Sequence, residues 1–287
     1  MFKKILFATD GSETCNNAAK VAFALAALEE AKLIVFHVIG EPSRGNSAFI
    51  TDNRTTEKQE MDSDYVEWVV EEMKNTYGEL LENSENVTVE APVGQIHREI
   101  LRHAREKDVD IIIMGAHTKD SSMSRVGSNI EKITKTSKCP VLVINRPCPS
   151  YQSFFNNIVF VTDFSEKSDH AFELSLKLAG ELNSKFHFFH AFDISRSETR
   201  RMSQVKLESV IKQIKKRIQR KYLDNLRGLE KLGLQVWEGT PYIEILKFAR
   251  EKNAELIVMA YHNPSKEELG GVTQQIILRS ACPVIFV

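Results

Sequence analysis

Several short runs in this sequence place chemistry-bearing residues where backbone groups are left free. Gly127 and Ser128 open a helical pattern directly after a polar loop at 118–126. A Gly-Ser pair at such a start offers unpaired N–H groups, a hydroxyl and the positive end of the helix dipole, which together suit a phosphate. Asn129 follows in the same first turn. Three further sets of residues end apolar runs: Ala8-Thr9-Asp10, Val38, and Met114-Gly115-Ala116-His117. If those runs are parallel strands, their carboxyl ends form the crevice where open α/β sheets bind ligands. Asp10 can bond the edge of a base or ribose, or help hold a magnesium ion on phosphates. An Asp at a strand end also serves as a turn residue before a helix cap. Both readings stay open for it.

No residue set points to catalysis. The chain has no P-loop lysine motif, no G-x-S-x-G elbow, no H-E-x-x-H and no paired carboxylates, so no catalytic residue is expected. His37 and His190 sit inside apolar runs and are expected to be hydrogen-bonded core residues; no Cys or carboxylate spacing around them suggests a metal. Cys15, Cys139, Cys148 and Cys282 form no C-x-x-C pair and no disulfide framework, so free thiols in a reducing cytoplasm are expected.

The elements that must position these residues occur twice. Residues 5–38 lie over 158–191 at a constant offset of 153, with 12 of 34 positions identical. Residues 94–117 lie over 239–262 at offset 145, with 11 of 24 identical, and KCPVLVI at 138–144 matches ACPVIFV at 281–287. Three ordered blocks of this quality are a duplication. Each copy alternates β and α. In the first, strands are expected at 4–8, 33–38, 87–91, 110–114 and 141–145, and helices after Ser12 and at about 63–81, 95–107 and 128–136. Ser12 and Ser165 are placed to cap the first helix of each copy. Near-continuous apolar strands alternating with helices imply right-handed crossovers and parallel sheets covered on both faces. We therefore expect an α/β fold of two tandem, open, five-stranded, mostly parallel sheets, with domains at 1–147 and 156–287 joined by a linker rich in proline and polar residues. The apolar last strands, 141–145 and 284–287, are expected to pair, since an exposed edge is a template for association.

ATD at the first strand end, HV at the second, MGAH at the fourth, GS at the last helix and CPVLVI at the end of the copy resemble the universal stress protein family. The resemblance covers nearly all of both copies. It implies a Rossmann-like fold of the adenine-nucleotide α-hydrolase type and, in one branch, ATP bound through G-x2-G-x9-G-[S/T]. Copy one has Gly115-Ala-His-Thr118, eight residues, then Gly127-Ser128: its second glycine is Thr118 and its spacer is one residue short. Copy two has Ala260-Tyr-His-Asn263, six residues, then Gly270-Gly271, and Phe164 stands where copy one has Gly11. The resemblance thus implies a nucleotide site (ATP or AMP) in copy one, through Ala8, Thr9, Asp10, Val38, Met114, Gly115, His117, Gly127, Ser128 and Asn129, and none in copy two. It also implies an intramolecular pseudo-dimer and a homodimer of whole chains. Three functions are weighed: a non-catalytic stress-response regulator, a scaffold that has lost nucleotide binding, and a slow nucleotide hydrolase.

Bulk properties narrow the partners. The net charge is −1, so the overall field attracts neither nucleic acid nor an anionic membrane, and no apolar run approaches a membrane span. The halves differ, at −5 for 1–150 and +4 for 151–287. A run of cations from Lys206 to Lys221 keeps apolar residues at helical spacing between them, so it is expected to form a solvated helix face. It lacks the interleaved aromatics of a single-strand platform.

Overall fold

A computed structural model describes residues 1–40, 63–116, 128–145, 155–195, 199–224, 233–261 and 271–287. It divides into two compact units, each described in turn. The first comprises Met1–Gly115 with Ser128–Cys139, and the second comprises Ala116 with Pro140–Val287.

In the first unit β1 (Lys4–Ala8) leads through α1 (Glu13–Glu29) to β2 (Lys32–Phe36) and the short β3 (Ile39–Gly40). After α2 (Ser63–Thr76) and α3 (Gly78–Glu82) come β4 (Val87–Glu90), β5 (Val93–Gly94), α4 (Ile96–Glu106), β6 (Ile111–Gly115) and α5 (Ser128–Thr136). The sheet runs β6-β1-β2-β4, all parallel, and β3 pairs with β5 separately. Every residue of β6 is buried, as expected of an Ile-Ile-Ile-Met run covered on both faces. The helix expected over 63–81 is interrupted at Tyr77, whose φ of −108° and ψ of 15° separate α2 from α3. Tyr77 is only 3% exposed. The break turns its ring inward, against the edge of Phe7.

The second unit begins with β7 (Val141–Ile144), followed by β8 (Asn157–Val161), α6 (Glu166–Glu181), β9 (Lys185–Asp193) and α7 (Gln204–Ile218). A π-helical turn (Gln219–Leu223) precedes β10 (Gly233–Gly239), α8 (Pro241–Glu251), β11 (Leu256–Met259), α9 (Val272–Arg279) and β12 (Val284–Phe286). The strand order is β10-β9-β8-β11-β12-β7, parallel except for the last pair. There β12 runs antiparallel to β7, with Ile285 opposite Leu142 and both fully buried.

Two expectations are corrected here. Each copy supplies the five strands expected of it, β1, β2, β4, β6 and β7 from the first and β8 to β12 from the second, but they do not form two separate sheets: β7, which closes copy one in the sequence, hydrogen-bonds along β12 and groups with the second unit. Its apolar edge is satisfied by the matching edge of the other copy. Ser12 also departs from expectation: it stands at the N-cap position of α1, but its side chain makes no cap bond, whereas Ser165 accepts from the Ser168 N–H as expected.

Candidate functional site

The carboxyl ends of β6, β1 and β2 are neighbours, and β1 is where the strand order reverses direction: one crossover leads out to β2, another to β6. That reversal opens a crevice beyond the strand ends. Ala8 stands opposite Met114 in the β1–β6 ladder, so Ala8, Thr9, Met114 and Gly115 are brought to one edge. Ala8, Thr9, Met114 and Val38 are buried, whereas Asp10 and Gly11 are exposed.

Thr9 is the centre of a bonded framework. Its N–H donates to the Phe36 carbonyl at 2.9 Å. Its hydroxyl lies 2.6 Å from the Tyr77 hydroxyl and accepts from the Gly11 N–H at 3.0 Å. Its carbonyl lies 2.9 Å from Nδ1 of His37. A carbonyl can only accept, so Nδ1 of His37 carries a proton in this bond. Burial pushes the Tyr77 phenol up to about 12, with its bond to Thr9 acting the other way. Tyr77 is therefore neutral throughout the physiological range.

Asp10 makes the turn expected of an Asp at a strand end: its Oδ1 accepts from the Ser12 N–H at 3.0 Å and from the Cys15 thiol at 3.2 Å. Between them Gly11 adopts φ +75°, and a Cβ built there would have no atom within 4 Å. The space outside Gly11 is open, and the backbone conformation favours a residue without a side chain.

The second unit repeats this framework and fills the opening. Thr162 is bonded to the Tyr222 hydroxyl (3.2 Å), the Phe164 N–H (3.0 Å) and Nδ1 of His190 (2.7 Å). Phe164 adopts φ +65°, the same left-handed backbone as Gly11 despite its bulk. Its ring lies 4.8 Å from His190, and the Arg217 guanidinium sits 4.2 Å above it. Burial holds His190 below the ordinary histidine value, and Arg217 adds to the depression. Tyr222 in turn donates to Asp169 at 2.7 Å, and Lys221 pairs with the same carboxylate.

His117 and Gly127 lie outside the described residues, as do Thr118 and Gly270. Ser128 and Asn129 open α5, which packs on α4, where Asn129 is bonded to His97. Partial burial, Lys132 and Arg98 keep His97 below the usual histidine range. The cysteines are free thiols at Cys15, Cys139 and Cys282, each pushed up by burial, the last to about 11; Cys148 is outside the described residues. Among the described residues no group of three His, Cys, Asp or Glu could hold a metal ion, and no helix is long and apolar enough to cross a membrane.

Tyr77 and Tyr222 were not among the residues singled out from the sequence. The signal was present, since they stand 145 apart, the same offset that relates the later block of the repeat.

The model of the universal stress protein family matches residues 1–145 and again 154–287. A universal stress protein of Methanocaldococcus jannaschii is 34% identical over 156 residues, covering 51% of this chain and 96% of that protein. One from Bacillus subtilis is 30% identical over 153 residues, covering 50% of this chain and 99% of the relative. The crystal structure of a universal stress protein from Archaeoglobus fulgidus matches with a TM-score of 0.63 over 99% of this chain and 97% of that one, at 20% identity. It bears on the fold alone.

Proposed function

The chain belongs to the universal stress protein family, twice over, and on that premise we propose that it is a non-catalytic stress-response regulator whose first repeat binds one adenine nucleotide. One observation carries the asymmetry. Gly11 leaves open space at the end of β1, whereas Phe164 fills the corresponding place in the second repeat, under Arg217 and beside His190. The residues present suit a nucleotide. Buried Ala8, Val38 and Met114 supply apolar walls, and exposed Asp10 can meet a polar edge or a phosphate-bound magnesium ion. Gly115 and the start of α5 at Ser128-Asn129, which Gly127 precedes in the sequence, supply backbone donors for phosphate. Binding itself is the proposed output, with ATP and AMP as the ligands. The antiparallel pairing of β7 with β12 supports a pseudo-dimer of the two repeats.

The test is calorimetric titration of the intact chain with ATP and with AMP. One site per chain is expected. Gly127→Val places a side chain where phosphate approaches the helix start and should weaken binding at least about tenfold, or about 1.4 kcal/mol. Gly270→Val should leave it unchanged. Two sites per chain, or loss only on the Gly270 change, overturns the assignment. No binding at all favours a scaffold, and steady phosphate release favours a hydrolase.

A further inference from the structure

The duplication puts α2 and the α7–π-turn segment in corresponding places: residues 63–76 plus the 145-residue offset fall on 208–221, and each segment leads to a buried tyrosine, Tyr77 or Tyr222. Their exposed faces have diverged to opposite charge. From Ser63 to Thr76 there are four carboxylates and one lysine; from Gln204 to Leu223 there are seven cations and one carboxylate.

Each face carries an unusual feature besides its sign. On α2 the rings of Tyr65 and Trp68 stand in solvent, 46% and 56% exposed, stacked 5.8 Å apart at 26°. Two large rings paired outside the core mark a contact surface. Along α7 and its π turn, Gln213, Lys216, Arg217, Arg220 and Lys221 line an open cleft of about 430 Å³. Their spacing places them in one stripe. Arg217 is committed to Phe164 and Lys221 to Asp169. Among the described residues, Lys216 and Arg220 meet no carboxylate. Lys212, Lys216 and Arg220 repel one another at successive i,i+4 steps, a cost that an acidic partner would relieve.

We propose that the partner is a second copy of this chain, with α2 of one protomer docked on the α7–π-turn cleft of the other. The two helices differ by one residue in length, at 14 and 15 residues. Glu67, Glu71 and Glu72 supply the charge that the cleft lacks, and the Tyr65–Trp68 stack offers ring faces to Lys216 and Arg220. Nucleic acid would leave α2 and its exposed ring pair without a partner, since the four carboxylates of that helix repel phosphates, whereas a second copy of the chain suits both faces. A contact between two helices of this length is small, so the association is weak, steered by charge and sensitive to salt.

The experiment is sedimentation equilibrium of the intact chain at low and high salt, with circular dichroism to verify folding. Self-association should weaken about tenfold or more as salt rises from about 50 to 500 mM. Glu71→Lys with Glu72→Lys should abolish it, and so should Lys216→Glu with Arg220→Glu. An equimolar mixture of those two variants restores opposite charge at the contact and should associate. Trp68 is one of only two tryptophans, so its emission should shift to the blue in the mixture and in the parent, with the shift lost in Trp68→Phe. A parent that stays monomeric, variants that associate as the parent does, or a mixture that fails to associate overturns the proposal. Saturable binding of a duplex oligonucleotide to a monomeric parent also overturns it. None of these readouts depends on nucleotide binding.

Discussion

At the scale of single residues, the two repeats show one backbone framework with different side chains on it. Thr9 and Thr162, His37 and His190, and Tyr77 and Tyr222 keep the same bonds. Gly11 and Phe164 share the left-handed conformation yet differ most in bulk. A side chain at positive φ costs about 1 kcal/mol or more, and Phe164 offsets it through His190 and Arg217. Truncation separates the two effects. Phe164→Ala should destabilise the protein, and Phe164→Gly should be about 1 kcal/mol more stable than Phe164→Ala in urea unfolding. If the alanine variant is the more stable, the left-handed backbone at 164 is wrong. Tyr77 gives a pH signature. Its phenol ionises near 10 when unfolded and near 12 in the fold. Because the folded value is raised, the associated stability is complete below pH 10 and declines as pH rises from 10 through 12. Tyr77→Phe should cost about 1–2 kcal/mol at neutral pH, through the lost bond to a buried threonine, and should remove that alkaline decline. A decline of the same size in the phenylalanine variant would assign it to other groups.

At the scale of elements, the last strands matter most. The β7–β12 ladder brings Leu142 and Ile285 face to face, both fully buried, and Asn145 just beyond β7 donates from its amide to the Ile277 carbonyl of α9. Leu142→Ala should therefore cost about 2–5 kcal/mol, as for other buried leucines, and should expose the Val284–Phe286 amides to hydrogen exchange. Fast exchange of those amides in the unmodified chain contradicts the ladder. The interruption between α2 and α3 is a second element-level event. The periodicity at 63–81 is helical on both sides of Tyr77, so nothing in the pattern marked the break. It arises because the Tyr77 hydroxyl reaches Thr9, 68 residues earlier.

At the scale of the whole molecule, one binding repeat and one filled repeat predict a single thermal response. ATP at about 100 times its dissociation constant should stabilise the intact protein by about 2.7 kcal/mol, and Gly127→Val should remove that gain while leaving the ligand-free transition in place. A response that survives Gly127→Val but not Gly270→Val would reverse the roles of the repeats. The charge difference between the halves, −5 against +4, also belongs at this scale, and its concentration on α2 and α7 makes salt-dependent self-association measurable.

The sequence by itself determined the duplication, the α/β class, the strand ends that carry the candidate site and the family. Each is written in local pattern: apolar period, glycine and serine placement, and a constant offset between like blocks. Even the structural share of Asp10 was legible, because an Asp two residues before a helix cap makes its turn locally, and Asp163 repeats it. The pairing of the two last strands was legible too; only the tertiary structure decided the antiparallel register in which Val141–Val143 meets Val284–Phe286, that Tyr77 breaks a helix to bond Thr9, and that Phe164 fills the space Gly11 leaves open. These depend on groups from 53 to 145 residues apart in sequence, Phe164 and Arg217 at the near end and Val141 and Phe286 at the far end. Which distant groups meet is set by chain closure and packing, for which no local period carries a signal.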